Sequence, residues 1–148
     1  MWEIMGLAYA NIVLENPKEP GVKPVKVKAL ADTGSVFLCV PAGLAAELGL
    51  EELYKKEIFT ADGKMHKRPY VGPVHIKFEN RGCMTGAVVM GDKVLLGAIP
   101  MEDMDLVVLP NDRRIAVNPL HPKYASGLAK GFLQSPMKKA RNKRKSRF

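Results

Sequence analysis

The sequence predicts an all-β fold, a closed barrel or sandwich of short strands that carries one short helix. Three observations lead there. Residues 25–30 alternate apolar and basic side chains, Val25-Lys26-Val27-Lys28-Ala29-Leu30, the period-2 pattern of a half-buried strand. Turn-forming clusters recur at short, even spacing, and two of them separate extended runs as hairpins do. Strand and helix patterns do not alternate in the manner of βαβ units, and no internal repeat is present.

The elements follow in order. Residues 7–14 (LAYANIVL) form the first strand, and Asn16-Pro17-Lys18-Glu19-Pro20-Gly21 breaks it. Residues 25–30 are the second strand and 36–40 the third. A helix over 41–49 has Pro41 near its start and Gly49 just past its end. Residues 54–60 and 65–71 flank Ala61-Asp62-Gly63-Lys64, where Asp-Gly supplies a turn needing positive φ. A second hairpin joins 74–78 to 84–90 through Glu79-Asn80-Arg81-Gly82. Gly91-Asp92-Lys93 turns into 94–97, and 100–104 fits one helical turn. Residues 105–109 and 114–117 are closing strands around Asn111-Asp112.

At 148 residues and 16.3 kDa the chain has the size of one domain, and its 47% hydrophobic content suffices for a packed core. No apolar run approaches the roughly 20 residues that span a bilayer. Met1-Trp2-Glu3-Ile4 lacks the features of a secretory leader. Cys39 and Cys83 stand in apolar segments and read as buried free thiols of a reducing compartment. The expectation is a soluble, cytoplasmic protein.

The net charge of +8 is unevenly placed. Residues 123–148 hold nine Lys and Arg and no acid, whereas 1–122 hold 14 basic and 15 acidic residues. This divides the chain into a body, 1–122, and a basic tail, 123–148, expected to be disordered from about Pro136. Residues 138–147 offer a weak contact for nucleic acid or another polyanion, or serve only as a solubilising extension. No aromatic interrupts the basic run to act as a stacking platform.

The chemistry lies at Ala29-Leu30-Ala31-Asp32-Thr33-Gly34-Ser35, where an apolar strand delivers an aspartate into a turn of small and hydroxyl-bearing residues. With the hairpin at Ala61-Asp62-Gly63 and the Leu95-Leu96-Gly97 element after it, residues 6–119 resemble the retropepsin-like aspartic proteases. The Leu96-Gly97-Ala98-Ile99-Pro100 and Val117-Asn118-Pro119 stretches are similar to those of the small prokaryotic-type branch. The resemblance implies a retropepsin-like closed barrel with a flap hairpin, active as a homodimer and needing no cofactor. It implies an endopeptidase of the aspartic type.

Metal-free peptide hydrolysis needs one group to deprotonate water and another to protonate the scissile carbonyl, and two close carboxylates sharing a proton do both. Only one Asp-Thr-Gly is present, and the acids at Glu51-Glu52, Asp62-Gly63 and Glu102-Asp103 lack its turn chemistry. A twofold homodimer supplies the second Asp32. The resemblance assigns Asp32 as catalytic and Thr33, Gly34 and Ser35 as the active-site loop. Thr33 would brace the partner loop, Gly34 would bring its N–H to the carboxylates, and Ser35 would bond the outer oxygen; ordinary turn bonding is the other use of both hydroxyls. Ala61, Asp62, Gly63 and Lys64 become the flap, and Leu95, Leu96 and Gly97 the support beneath the loop. Ile58, Phe59 and Tyr70 either line the cleft or pack in the core, and residues 90–93 take the position of a cleft-wall loop. The retroviral branch carries a polar pair after the glycine, where Ala98-Ile99 stands here.

His66, His75 and His121 are scattered, with no acid in ligand spacing, so no metal site is expected. Cys39 reads as core, with a fold contact to His75 left open. The competing functions are a non-catalytic peptide-binding or dimerisation module of the same fold, and a polyanion-binding protein acting through its tail. Phe132-Leu133 is a candidate site of self-cleavage.

Overall fold

A computed structural model of the chain describes residues 7–129. The basic run of 138–147, Pro136 onward and the Phe132-Leu133 pair lie outside the described residues, as do residues 1–6.

Among the described residues there are nine strands and two short helices: β1 (Tyr9–Glu15), β2 (Val25–Ala31), β3 (Leu38–Val40), α1 (Ala42–Glu47), β4 (Glu51–Phe59), β5 (Met65–Phe78), β6 (Arg81–Val89), β7 (Leu95–Leu96), α2 (Ala98–Asp103), β8 (Leu106–Leu109) and β9 (Arg114–Val117). The ring runs β1-β2-β7-β3-β6-β5, and β5 returns to pair with β1, so six strands close on themselves. Outside the ring, β4 hangs on β5 as one arm of the flap, and the β8–β9 hairpin hangs on β1. The result is all-β, and of the barrel and sandwich that the strand pattern leaves open it is the closed barrel.

Alternation explains the core. Along β1 the side chains of Ala10, Ile12 and Leu14 point inward and are buried, with Leu38, Val40, Val74, Ile76 and Leu96 facing them from other strands. Leu48 after α1 and Met104 after α2 belong to the same apolar cluster and are fully buried. Leu48 is also tied to the turn after β1, because the buried Asn16 amide donates to its carbonyl at 3.0 Å.

Four differences from the pattern reading have local causes. Residues 65–71 and 74–78 are one 14-residue strand, which passes through the cis Gly72-Pro73 bond where its register against β6 shifts. Proline lacks a donor and sits where the ladder is interrupted, so the strand bends there instead of ending. The second turn is correspondingly tight, only Glu79-Asn80, with Glu79 at φ 51° and Arg81 already paired to Phe78. Residues 36–37 lie outside the third strand, and the Val36 carbonyl instead accepts the Ile99 N–H of α2. Finally, 98–103 is a full second helix rather than a single turn.

After β9 the chain is strapped to the barrel. Asn118 and His121 donate to Asp105 at 3.1 and 2.7 Å, the Ser126 N–H donates at 3.0 Å, and the Asn80 amide donates to the Pro122 carbonyl at 2.9 Å. Arg81, only 5% exposed, donates through one guanidinium nitrogen to the His121 carbonyl. Among the described residues no helix is long and apolar enough to cross a membrane.

Candidate active site

Asp32 emerges from the end of β2. Its backbone N–H donates to the Leu96 carbonyl at 3.0 Å, which anchors the loop to β7. Its carboxylate is then held by its own turn: the Gly34 N–H donates to Oδ1 at 3.1 Å and the Ser35 hydroxyl to Oδ2 at 2.9 Å. The Ser35 N–H closes the turn on the Asp32 carbonyl at 2.9 Å. A Cβ on Gly34 would stand 3.3 Å from Asp32 Oδ1, so the small residue leaves the carboxylate face open. Thr33 and Gly34 are exposed, and the Thr33 hydroxyl has no hydrogen-bond partner among the described residues.

The support comes from the segment around Gly97. Leu96 is fully buried, and the Ala98 and Ile99 amides donate to the Ser35 and Val36 carbonyls at 2.8 and 3.0 Å. A Cβ on Gly97 would fall 2.4 Å from the Phe37 carbonyl oxygen and 2.8 Å from its nitrogen. Two backbones therefore touch where any larger residue would separate them. The sequence places Ala98-Ile99 where the retroviral branch has polar residues, and a helix follows here all the same.

A cleft of about 590 Å³ opens over Asp32, lined by Gly34, Ser35, Cys39, Ile58–Ala61, Met90–Lys93 and Leu95. Its lining is mainly apolar, with the Asp32 carboxylate at one wall. A neighbouring recess of about 290 Å³ runs between Val36, Phe37 and the flap residues Glu57–Phe59. Ile58, Phe59 and Ala61 thus face the cleft, and Phe59 is 71% exposed. Asp62, Gly63 and Lys64 form the turn but do not line the cleft.

Within the flap tip Asp62 is the organiser. It accepts from the Thr60 hydroxyl and, at 3.0 Å, from the Lys64 N–H, and the Thr60 bond foremost holds its carboxyl below the usual value. Gly63 supplies the required φ of 84°. At the base of the flap Tyr70 packs edge-on against Phe37 with centroids 5.8 Å apart, and its hydroxyl accepts the Gly86 N–H at 3.2 Å. The Lys56 ammonium lies over both rings, 4.9 Å from Phe37 and 4.6 Å from Tyr70. Pattern reading missed this cluster, since Phe37 and Lys56 are 19 positions apart; only their shared approach to Tyr70 unites them.

The remaining titratable groups fall elsewhere. His75 bonds Glu15 at 3.3 Å, not Cys39, and His121 bonds Asp105, while His66 meets Thr60 at 3.3 Å. Two of the three histidines therefore find an acid through the fold that sequence spacing does not reveal. Among the described residues no group of three or more His, Cys, Asp or Glu is placed to hold a metal ion. Cys39 and Cys83 are both buried free thiols. Burial, and then the Asp32 charge, pushes the Cys39 thiol up, and burial with a bond to Asp103 takes Cys83 to about 12.

No family model and no curated protein matches the chain. Among solved structures it is similar to EIAV protease in complex with an inhibitor, at 16% identity over 68% of this chain and 90% of that one, TM-score 0.49. The simian foamy virus (mac) protease gives 19% identity over 63% and 89%, TM-score 0.41. A Legionella pneumophila protein of unknown function gives 16% over 70% and 93%, TM-score 0.43. At such identities the reading of the site rests on this chain's own side chains.

Proposed function

We propose that this chain is a retropepsin-like aspartic endopeptidase of the prokaryotic type, active as a homodimer in which each subunit supplies one Asp32. The observation that carries the reading is the Asp32 carboxylate, fixed through both oxygens by Gly34 and Ser35 at the wall of a cleft roofed by the flap. A module that only binds peptides has no use for an acid presented in this way, since an orphan carboxylate at a closing interface is costly.

In the dimer the two carboxylates share one proton. The ionised member takes a proton from water, which attacks the scissile carbonyl, and the protonated member donates to the carbonyl oxygen. Collapse of the tetrahedral intermediate returns a proton to the leaving amine. Thr33, Gly34 and Ser35 are the loop that orients the carboxylates. Residues 61–64 close the flap, which lets Ile58 and Phe59 exclude water from an extended peptide. Leu95, Leu96 and Gly97 hold the loop from below.

The substrate is an extended peptide or protein segment with apolar side chains, and no cofactor takes part. Two buried free thiols support a cytoplasmic setting. Residues 1–122 are the peptidase domain, and 123–148 are an appended basic tail whose residues 138–147 make at most a weak polyanion contact. Incubating the full-length protein with a peptide library between pH 4 and 7, with and without pepstatin, tests the reading. Cleavage abolished by pepstatin supports it; no turnover at any pH while peptides still bind would leave a binding module.

A further inference from the structure

The two arms of the flap pair in a register that sorts their side chains by face. Lys56 stands directly opposite Arg68, Ile58 opposite His66 and Tyr54 opposite Tyr70, so these residues share one side of the β4–β5 ladder. Glu57 and Lys67 oppose each other on the other side, as do Phe59 and Met65. The first side is turned to the barrel. Lys56 and Tyr70 meet Phe37, which follows the active-site loop, and Ile58 lines the cleft.

The charges on that side do not balance. A cation set directly opposite a cation weakens a ladder, whereas opposite charges strengthen it. Lys56 and Arg68 are both half-buried, and among the described residues neither forms an ion pair with an acid. The acids of the flap are engaged elsewhere: Glu52 pairs with Lys55 at 3.1 Å, Asp62 holds Thr60 and Lys64 at the tip, and Glu57 has Lys67 opposite it. Arg68 donates to the Lys67 carbonyl at 3.3 Å, a bond that leaves its charge in place. The Lys56 ammonium rests on two aromatic faces, 4.9 Å from the Phe37 centroid and 4.6 Å from that of Tyr70. Such faces attract and orient a cation without neutralising it. Phe37 also walls the recess of about 290 Å³ beside the cleft, so an oriented positive charge stands against a wall of that recess.

We infer that Lys56, backed by Arg68, selects an acidic side chain in the substrate. A glutamate or aspartate next to the apolar residues that fill the cleft would bring its carboxylate to the Lys56 ammonium as the flap closes. The inference rests on the peptidase reading above and narrows its substrate class to apolar segments flanked by an acid. Lys56 acts here on specificity and takes no part in the proton transfers at Asp32. A charge-assisted contact of this kind gains strength in a roofed, half-buried site, where water screens it less. A twofold dimer has two flaps, so an acid is favoured at two positions related by symmetry about the scissile bond.

The test uses full-length protein and pairs of peptides that differ only in Glu against Gln, with that change moved through each position on both sides of the scissile bond. At one position and its twofold mate, wild type should favour Glu roughly tenfold in kcat/KM, chiefly through KM. The preference should shrink as salt rises. Lys56→Met keeps an apolar stem on Phe37 and Tyr70 and should bring the ratio close to one. Lys56→Glu should invert it, in favour of a peptide with Lys at that position, and Arg68→Gln should reduce it in part. Far-UV circular dichroism checks that each variant is folded. The same pairs are bound to Asp32→Asn protein and followed by fluorescence anisotropy, which reads the preference without turnover. A Lys56→Met variant that loses both peptides equally and keeps the ratio would mean that the ammonium only braces the flap, and overturns the inference. So does binding or cleavage indifferent to Glu against Gln at every position, or no binding of either peptide. Glu-selective binding that Lys56→Glu inverts, in a protein that cleaves nothing, removes the proposed function alone; cleavage without that selectivity removes only this inference.

Discussion

The hydroxyl of Ser35 donates to the outer oxygen of Asp32 across 2.9 Å, from three residues further along the same turn. With Gly34 on the other oxygen, the carboxylate is oriented by its own loop alone. Orientation fixed in advance is what an electrostatic site needs, because nothing must reorganise during the reaction.

Replacing Ser35 by Ala removes a hydrogen bond to a charged acceptor. We expect kcat/KM for peptide cleavage to fall roughly tenfold, with Ser35→Thr recovering most of it. Dimerisation and thermal stability should stay near wild type. An Ala variant with unchanged kinetics would reduce the hydroxyl to an ordinary turn bond.

Asp32→Asn keeps the shape of the side chain but removes the shared proton. The expected outcome is a loss of turnover of roughly 10²–10⁴-fold, read by mass spectrometry of peptide products, while sedimentation still reports the dimer. Cleavage at the wild-type rate would exclude Asp32 as the catalytic acid.

Gly97→Ala forces a methyl group onto the Phe37 and Val36 backbone, at 2.4 to 2.8 Å, where no flexible side chain can yield. We expect a destabilisation of about 1–3 kcal/mol or more in urea unfolding. Gly86→Ala makes an equally short contact, 2.4 Å, but with the ring of Tyr70, which is able to swing away. It should cost less stability and instead loosen the flap base, seen as faster amide exchange in β4. Equal costs at the two glycines would contradict this distinction.

Much of this arrangement is legible in the chain. The Asp32 turn, the flap turn and the Leu96-Gly97 support are local patterns, and local patterns survive in a one-dimensional reading. What the sequence hides is pairing between distant strands. Nothing in Leu38-Cys39-Val40 announces a parallel partner in Ala87-Val88-Val89, and nothing in Lys56 announces Phe37. The strand break expected at Gly72-Pro73 shows the converse error: proline marks an interruption of the ladder, and only the fold determines whether the strand ends or bends. Arg81 is the clearest case. A basic residue in a turn-like Glu-Asn-Arg-Gly cluster reads as exposed, yet the strap after β9 covers it.

The thiols give a test of burial. Cys83 is pushed up to about 12, and Cys39 is raised by burial and the Asp32 charge, so neither supplies much thiolate at pH 8. Both should resist a disulfide reagent in native protein and react together on unfolding in guanidinium. Fast labelling of Cys39 in the folded state would mean that the cleft opens further than its lining suggests.

The strap supplies a pH dependence whose sign is fixed. The Asn118 amide foremost, then the Ser126 N–H, hold the Asp105 carboxyl below its ordinary value of 3.8, and His121 adds to them. A value depressed in the folded state means stabilisation that is complete above 3.8 and is lost as the pH falls below it, through the folded value. Asp105→Asn removes that dependence while suiting the backbone, because Asp105 sits at φ 55° and asparagine tolerates the left-handed region well. In wild type, trypsin cleavage after Lys123 should be slow at neutral pH. In the variant it should be several-fold faster there, since the 118–126 segment has lost its charged anchor. On acidification the wild-type melting temperature should drop more steeply than that of the variant, and the two curves should converge at low pH. Parallel curves throughout would show that Asp105 does not hold the strap, and that the buried Arg81 and the Asn80 amide suffice to keep it in place.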